Sequence, residues 1–129
     1  MLPRKIPKSP KRSNRWRSPS HCAFVREFRC AMCDSPTNIE AAHVRYGSGA
    51  GMGQRPDDWR VVPLCGGPCP DRVGGLGCHK AQHVVGEQTF WKRYEKRHGQ
   101  TVEQLLDELC KASPKRAEIE RIKREREDG

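Results

Sequence analysis

Apolar residues fall in short, separated groups along this chain of 129 residues. Ala81, Val84, Val85, Trp91 and Tyr94 recur at roughly helical spacing, and Gly86 interrupts the run, which predicts a short helix followed by a second one. Thr101 opens TVEQLLDELCKA, with Gln104 three residues later as a capping-box partner and Val102, Leu105, Leu106 and Leu109 on one side of the predicted helix. Ser113-Pro114 stops that helix, and residues 115–127 form a last, solvated one whose only apolar residues are Ala117, Ile119 and Ile122. Upstream the pattern changes to strand. WRVVPLC, residues 59–65, carries the aromatic and β-branched residues of a strand ending at Cys65, and residues 39–44 read as another strand leading into His43. Between them GSGAGMGQRPDD, residues 47–58, is a glycine-rich loop that lacks the Gly-Lys-Ser/Thr of a phosphate loop. A second Gly/Pro-rich loop, GGPCPDRVGGLG, spans residues 66–77, and the chain shows neither internal repeats nor a second core.

Composition narrows this picture. Only 34% of residues are apolar and 6% aromatic, with 10 prolines and 12 glycines, so one small core is all the chain can build. Such a domain needs a metal, disulfides or a partner to hold its fold. Residues 1–21 carry seven Lys/Arg, four prolines and no acid, the composition of a disordered basic tail. The domain is then expected over residues 22–112, with a charged helix or tail over 113–129. The chain begins MLPRKIPKSPKR without the apolar stretch of a secretory signal, and no run approaches a membrane span. The expectation is a cytoplasmic protein, with no membrane partner, whose seven cysteines are reduced and so favour zinc over disulfides.

Lys plus Arg number 25 against 16 Asp plus Glu, a formal charge of +9. That charge runs through the whole chain without an amphipathic lipid anchor, which makes DNA, held mainly through its phosphates, the leading partner.

The chemistry lies in cysteines and histidines. Cys30-x2-Cys33, followed by the turn-forming DSPTN, reads as a zinc knuckle. Cys65 and Cys78 can complete a tetrahedral set across the second loop, although Cys69 offers an alternative pairing with Cys65. Cys78 is favoured because it begins a helix, where backbone N–H groups stabilise a thiolate. Cys110 reads as a small buried hydrophobe, and Cys22 has no close partner in sequence. His79 and His83, four residues apart on a helix, can reach one ion. Phosphodiester cleavage needs a base, a hard cation and a group that positions phosphate. His43, an ion on His79 and His83, and Arg45 can supply them in that order.

AHVRYGSGAGMGQRPDDWRVVPLCGG…CHKAQHVVGEQTFW resembles the HNH endonucleases, especially the phage and bacterial branch related to recombination-enhancement nucleases, over roughly residues 28 to 95. The resemblance implies a small α+β fold: a ββα-metal HNH core with structural Zn²⁺, supplemented by C-terminal helices. It further implies a metal-dependent DNA endonuclease with His43 as general base and a catalytic Mg²⁺ or Mn²⁺ on His79 and His83, less active in acid as the imidazole protonates. Two positions depart from the pattern. Ala42 stands where many HNH enzymes place a metal ligand, and no asparagine follows Asn38, so that Asp58, or less favourably Asp57, is expected to fix the loop around His43. Arg45, Arg55, Arg60 and Lys80 would line the phosphate face, and a phage or host recombination or DNA-processing protein would be the partner. The second reading is a noncatalytic zinc-containing nucleic-acid-binding module in which the helix histidines merely extend the structural site.

Overall fold

The structure, a computed structural model, describes residues 2–5, 15–48, 55–69 and 75–128. Residues 49–54 of the first loop and 70–74 of the second lie outside these, as do residues 6–14 of the basic segment. Helix α1 (Pro19–Val25) is followed by strand β1 (Ile39–His43), a single 3-10 turn (Asp58–Arg60) and strand β2 (Val61–Cys65). Four helices complete the chain: α2 (Cys78–Val85), α3 (Glu87–His98), α4 (Val102–Ala112) and α5 (Arg116–Asp128). The result is a small α+β domain around one two-stranded antiparallel sheet.

The hairpin register sets the geometry of everything else. Ile39 faces Cys65 at one end of the ladder and His43 faces Val61 at the other. Every residue of β2 is buried, which explains its continuous apolar run. Pro63 interrupts the N–H pattern of β2, but its carbonyl accepts from Ala31 N at 2.8 Å and so fastens the Cys30–Cys33 turn to the hairpin.

The helices follow local sequence signals. Gly86, at φ 88°, divides α2 from α3, and Gly99, at φ 69°, ends α3 in the left-handed cap. The α4 capping box is formed: Thr101 Oγ1 accepts from Gln104 N at 3.1 Å, while Gln104 Oε1 accepts from Thr101 N at 2.9 Å. Phe90, Trp91 and Tyr94 of α3 and Val102, Leu106 and Leu109 of α4 pack with Ala42, Val44, Val62, Leu64 and the cysteines in the main core. The buried Trp91 indole donates to Gln82 Oε1 at 2.9 Å, which satisfies the indole N–H and the amide oxygen inside that core.

Ordered packing begins earlier than the composition of residues 1–21 implies. Trp16 is buried, and Ser18 caps α1 through its hydroxyl, with Pro19 at the first helical position. A second cluster of buried residues, Trp16, Trp59, Cys110 and Ile119, forms where the sequence shows no second core; it joins the N-terminal segment to α5. Residues 15–21 are therefore structural, with the basic charges carried around an aromatic anchor.

Candidate metal centre

Four cysteines converge from three separate parts of the chain. Cys30 and Cys33 come from the turn before β1, Cys65 ends β2, and Cys78 begins α2; their sulfurs all lie within 4.8 Å of one another. Cys33 Sγ is 3.6 Å from Cys65 Sγ. Tetrahedral zinc with Zn–S near 2.3 Å requires sulfurs about 3.8 Å apart, so this donor set fits the ion. Cys65 and Cys78 are fully buried and Cys30 nearly so.

Glycine makes this meeting possible. The start of α2 runs so close to the end of β2 that a Cβ on Gly77 would lie 2.4 Å from Gly66 C and 2.6 Å from Gly67 N. No larger residue can stand there without parting the backbones that carry Cys78 and Cys65. The contact also brings Cys78 N within 3.4 Å of Cys65 Sγ, a charge-stabilising donor for a thiolate.

The thiols polarise one another. A hydrogen bond from Cys78, with backbone donors nearby, brings Cys30 down to about 4 even though burial acts the other way. Burial and its sulfur neighbours push Cys33 up to about 12. One sulfur thus ionises at the cost of its neighbours, because several thiolates cannot share a buried space without a cation. A divalent ion removes that conflict. Cys69 is also buried, with Sγ 3.9 Å from Cys78 Sγ, beside the four but outside the mutually close set.

The histidines do not join this centre. His43 Nε2 lies 2.9 Å from Asp58 Oδ1, and Asp58 Oδ2 accepts from Ser18 N at 2.8 Å. Burial disfavours the Asp58 carboxylate, yet the Ser18 N–H and His43 outweigh it, and the pKa is lowered. The aspartate therefore ties the hairpin to the N-terminal segment as well as to His43. His79 Nδ1 lies 3.1 Å from Glu40 Oε1, and the His79 and His83 rings are 5.4 Å apart. Strand alternation puts Glu40 and Ala42 on one face of β1 and His43 on the other. The predicted base is thus paired with Asp58, whereas His79 meets Glu40, on the other face of the strand.

This arrangement corrects the catalytic expectation. Among the described residues, the group of His, Cys, Asp and Glu side chains able to surround an ion is all cysteine; His43, His79 and His83 are absent from it. A metal-dependent endonuclease needs a cation beside its base. The nuclease reading falls on that point, together with its Mg²⁺ or Mn²⁺ and the catalytic roles assigned to His43, Arg45 and Asp58. The expected phosphate contacts also divide. Arg45, Arg55 and Lys80 are exposed. Arg60 instead binds Glu103 through two nitrogens, at 2.7 and 3.0 Å, and donates to the carbonyls of Val44 and Tyr46. Sequence spacing missed Glu40 as the partner of His79 and Ser18 as a donor to Asp58. The Ser18-Pro19 helix start was the one local signal for the latter.

No helix among the described residues is long and apolar enough to cross a membrane. No curated protein and no solved structure matches the chain. The family described as "Protein of unknown function (DUF968)" matches residues 3–114, and the chain, covered over most of its length by that match, belongs to this family.

Proposed function

We propose that the protein is a noncatalytic, zinc-stabilised module that binds nucleic acid. The buried all-cysteine group carries this reading: saturated by four thiolates, a zinc ion offers no open position for water or substrate and acts through folding. The net charge of +9 supports a polyanionic partner, with DNA as the first choice. The element order β1, β2, α2 with a zinc set at its base supports a ββα-metal type of scaffold, and the resemblance to HNH proteins is then one of scaffold without the reaction. Four zinc-bound thiolates require a reducing compartment, which favours the cytoplasm.

The test joins three measurements on one preparation. Zinc content should be one ion per chain, duplex DNA should bind with strong salt dependence, and supercoiled plasmid should survive Mg²⁺ or Mn²⁺ without nicking. Reproducible divalent-dependent nicking that follows the protein through purification overturns the noncatalytic reading. Absence of DNA binding even at low salt overturns the choice of partner.

A further inference from the structure

Helix α3 presents two unlike sides. Phe90, Trp91 and Tyr94 are buried in the main core, whereas Lys92, Arg93 and Lys96 are exposed. At 100° per residue those three bases occupy one side, and Lys92 and Lys96 stand one above the other about 6 Å apart along the axis. None of the three forms an ion pair or a side-chain hydrogen bond among the described residues. Helix α5 shows the contrast. Its Arg116 pairs with Glu120 and its Arg121 with Glu125, each at 3.0 Å, and Arg126 pairs with Asp57 at 2.8 Å. Three cations of α5 are thus paired, whereas Lys92, Arg93 and Lys96 of α3 keep their charge available.

The helix is also held rigidly. At its start Glu87 Oε1 accepts from Arg45 N at 2.7 Å and Tyr46 N at 3.1 Å, which ties it to the exit of β1. At its end His98 Nε2 meets Met32 O at 3.1 Å, inside the Cys30–Cys33 turn. A row of cations on a fixed helix needs little ordering to meet a row of phosphates.

We infer that Lys92, Arg93 and Lys96 form a ridge that grips the phosphate backbone of duplex DNA. The inference rests on the nucleic-acid-binding reading above and names the surface that performs it. Duplex DNA carries one negative charge per about 1.7 Å of axis, the dense and regular array that unpaired cations on a helix complement. A lipid surface is disfavoured, since the exposed side of α3 has no apolar residue to insert. A folded acidic protein is disfavoured for a related reason: the exposed side of α3 itself carries no Phe, Tyr or Trp as an anchor. Contacts of this kind fix position without reading bases, so binding through the ridge is independent of sequence.

The experiment uses the full zinc-loaded chain and a fluorescein-labelled duplex, with anisotropy titrations at several KCl concentrations. Three variants accompany the wild type: Lys92→Ala/Arg93→Ala/Lys96→Ala, the charge-keeping Lys92→Arg/Arg93→Lys/Lys96→Arg, and Arg116→Ala/Arg121→Ala on α5. Loss of three phosphate contacts at about 0.9 each should flatten the slope of log K against log salt by about 2.7, and weaken binding about a hundredfold near physiological salt. The charge-keeping and α5 variants should stay within about twofold of wild type, as expected when phosphate charge rather than base contact sets affinity. Zinc content and thermal midpoint serve as the folding control, since alanine is favourable on an exposed helix face. If the wild type binds and the triple alanine variant keeps its affinity and slope, the ridge is refuted while the module reading stands. Failure of the wild type to bind any nucleic acid refutes both. Tighter binding to single-stranded DNA or to RNA than to duplex overturns the partner named for the ridge.

Discussion

The cysteine group and the His43–Asp58 pair sit at opposite ends of the same five-rung hairpin, one at Cys65 and the other at His43. Both are polar clusters in a protein poor in apolar surface, but they solve opposite electrostatic problems. His43 and Asp58 satisfy each other, with the Ser18 N–H completing the carboxylate. The four sulfurs can only partly do so, because they are all acidic and their space is closed. The first cluster is complete within the protein; the second is complete only with a cation. A histidine near the end of a strand is therefore no sign of a reactive ion when its partner is already supplied.

Removing the ion should separate the two ends most sharply. Structural zinc in small domains is worth roughly 10–16 kcal/mol, comparable with or larger than the 5–15 kcal/mol that holds a typical domain folded. Chelation, or Cys78→Ser, should abolish the cooperative thermal transition, followed by circular dichroism alongside zinc content. An unchanged transition in metal-free protein would remove the electrostatic argument for the sulfur end.

Gly77→Ala attacks the same end without touching a sulfur. Its φ of −64° suits any residue, so the cost comes from overlap with the Gly66 and Gly67 backbone. About 3 kcal/mol of stability should be lost, read from denaturant melts, with weakened zinc retention. Gly86→Ala is the useful counterpart: nothing lies within 4 Å of its Cβ, but φ is 88°. Its cost should be nearer 1 kcal/mol and leave zinc affinity unaltered.

These two glycines also show what sequence made legible. Gly86 was readable because it breaks a local period, as were the Thr101–Gln104 box and the Cys30-x2-Cys33 knuckle, all settled within a few residues. The choice of Cys65 with Cys78 came from neighbouring helix and strand signals. What was hidden depended on contacts distant in sequence. Arg60 reads as a free cation until Glu103, 43 residues later, takes it. His43 and His79 read as one site until the register of β1 sets Glu40 and His43 on opposite faces. The basic side of α3 was present in WKRYEKRH but lay beside aromatic residues that drew attention as core.

The histidine–aspartate end should respond to acid in two steps. Burial lowers the pKa of His21, whose Nδ1 lies 2.7 Å from Ser113 Oγ, so the unfolded chain takes up its proton first. Stability should begin to fall as pH drops below the ordinary histidine value of 6.5. Asp58 has a folded pKa below its ordinary 3.8; its contribution is present above that value and is lost as pH falls through the folded one. Asp58→Asn should cost about 1–3 kcal/mol at neutral pH, since it weakens the bonds to Ser18 and His43. It should also remove the lower acid step while leaving the His21 step in place, as measured by denaturant midpoints across pH. A lower step of unchanged size in Asp58→Asn would assign that step to another carboxylate.

The smallest effect is expected at His79, and it tests the division between neighbouring residues most directly. Cys78 is wholly buried, whereas the side chains of His79 and Glu40 are 30% and 54% exposed. An ion pair of this kind contributes roughly 0.2–1 kcal/mol, reduced further while the imidazole is neutral. His79→Ala should therefore shift stability by less than about 1 kcal/mol and leave one zinc per chain, in contrast to Cys78→Ser one residue earlier. Zinc loss in His79→Ala would mean that the helix start donates nitrogen as well as sulfur to the centre. The sulfur end would then hold a neutral nitrogen donor as well as acidic thiols, and its contrast with the self-satisfied His43–Asp58 pair would narrow.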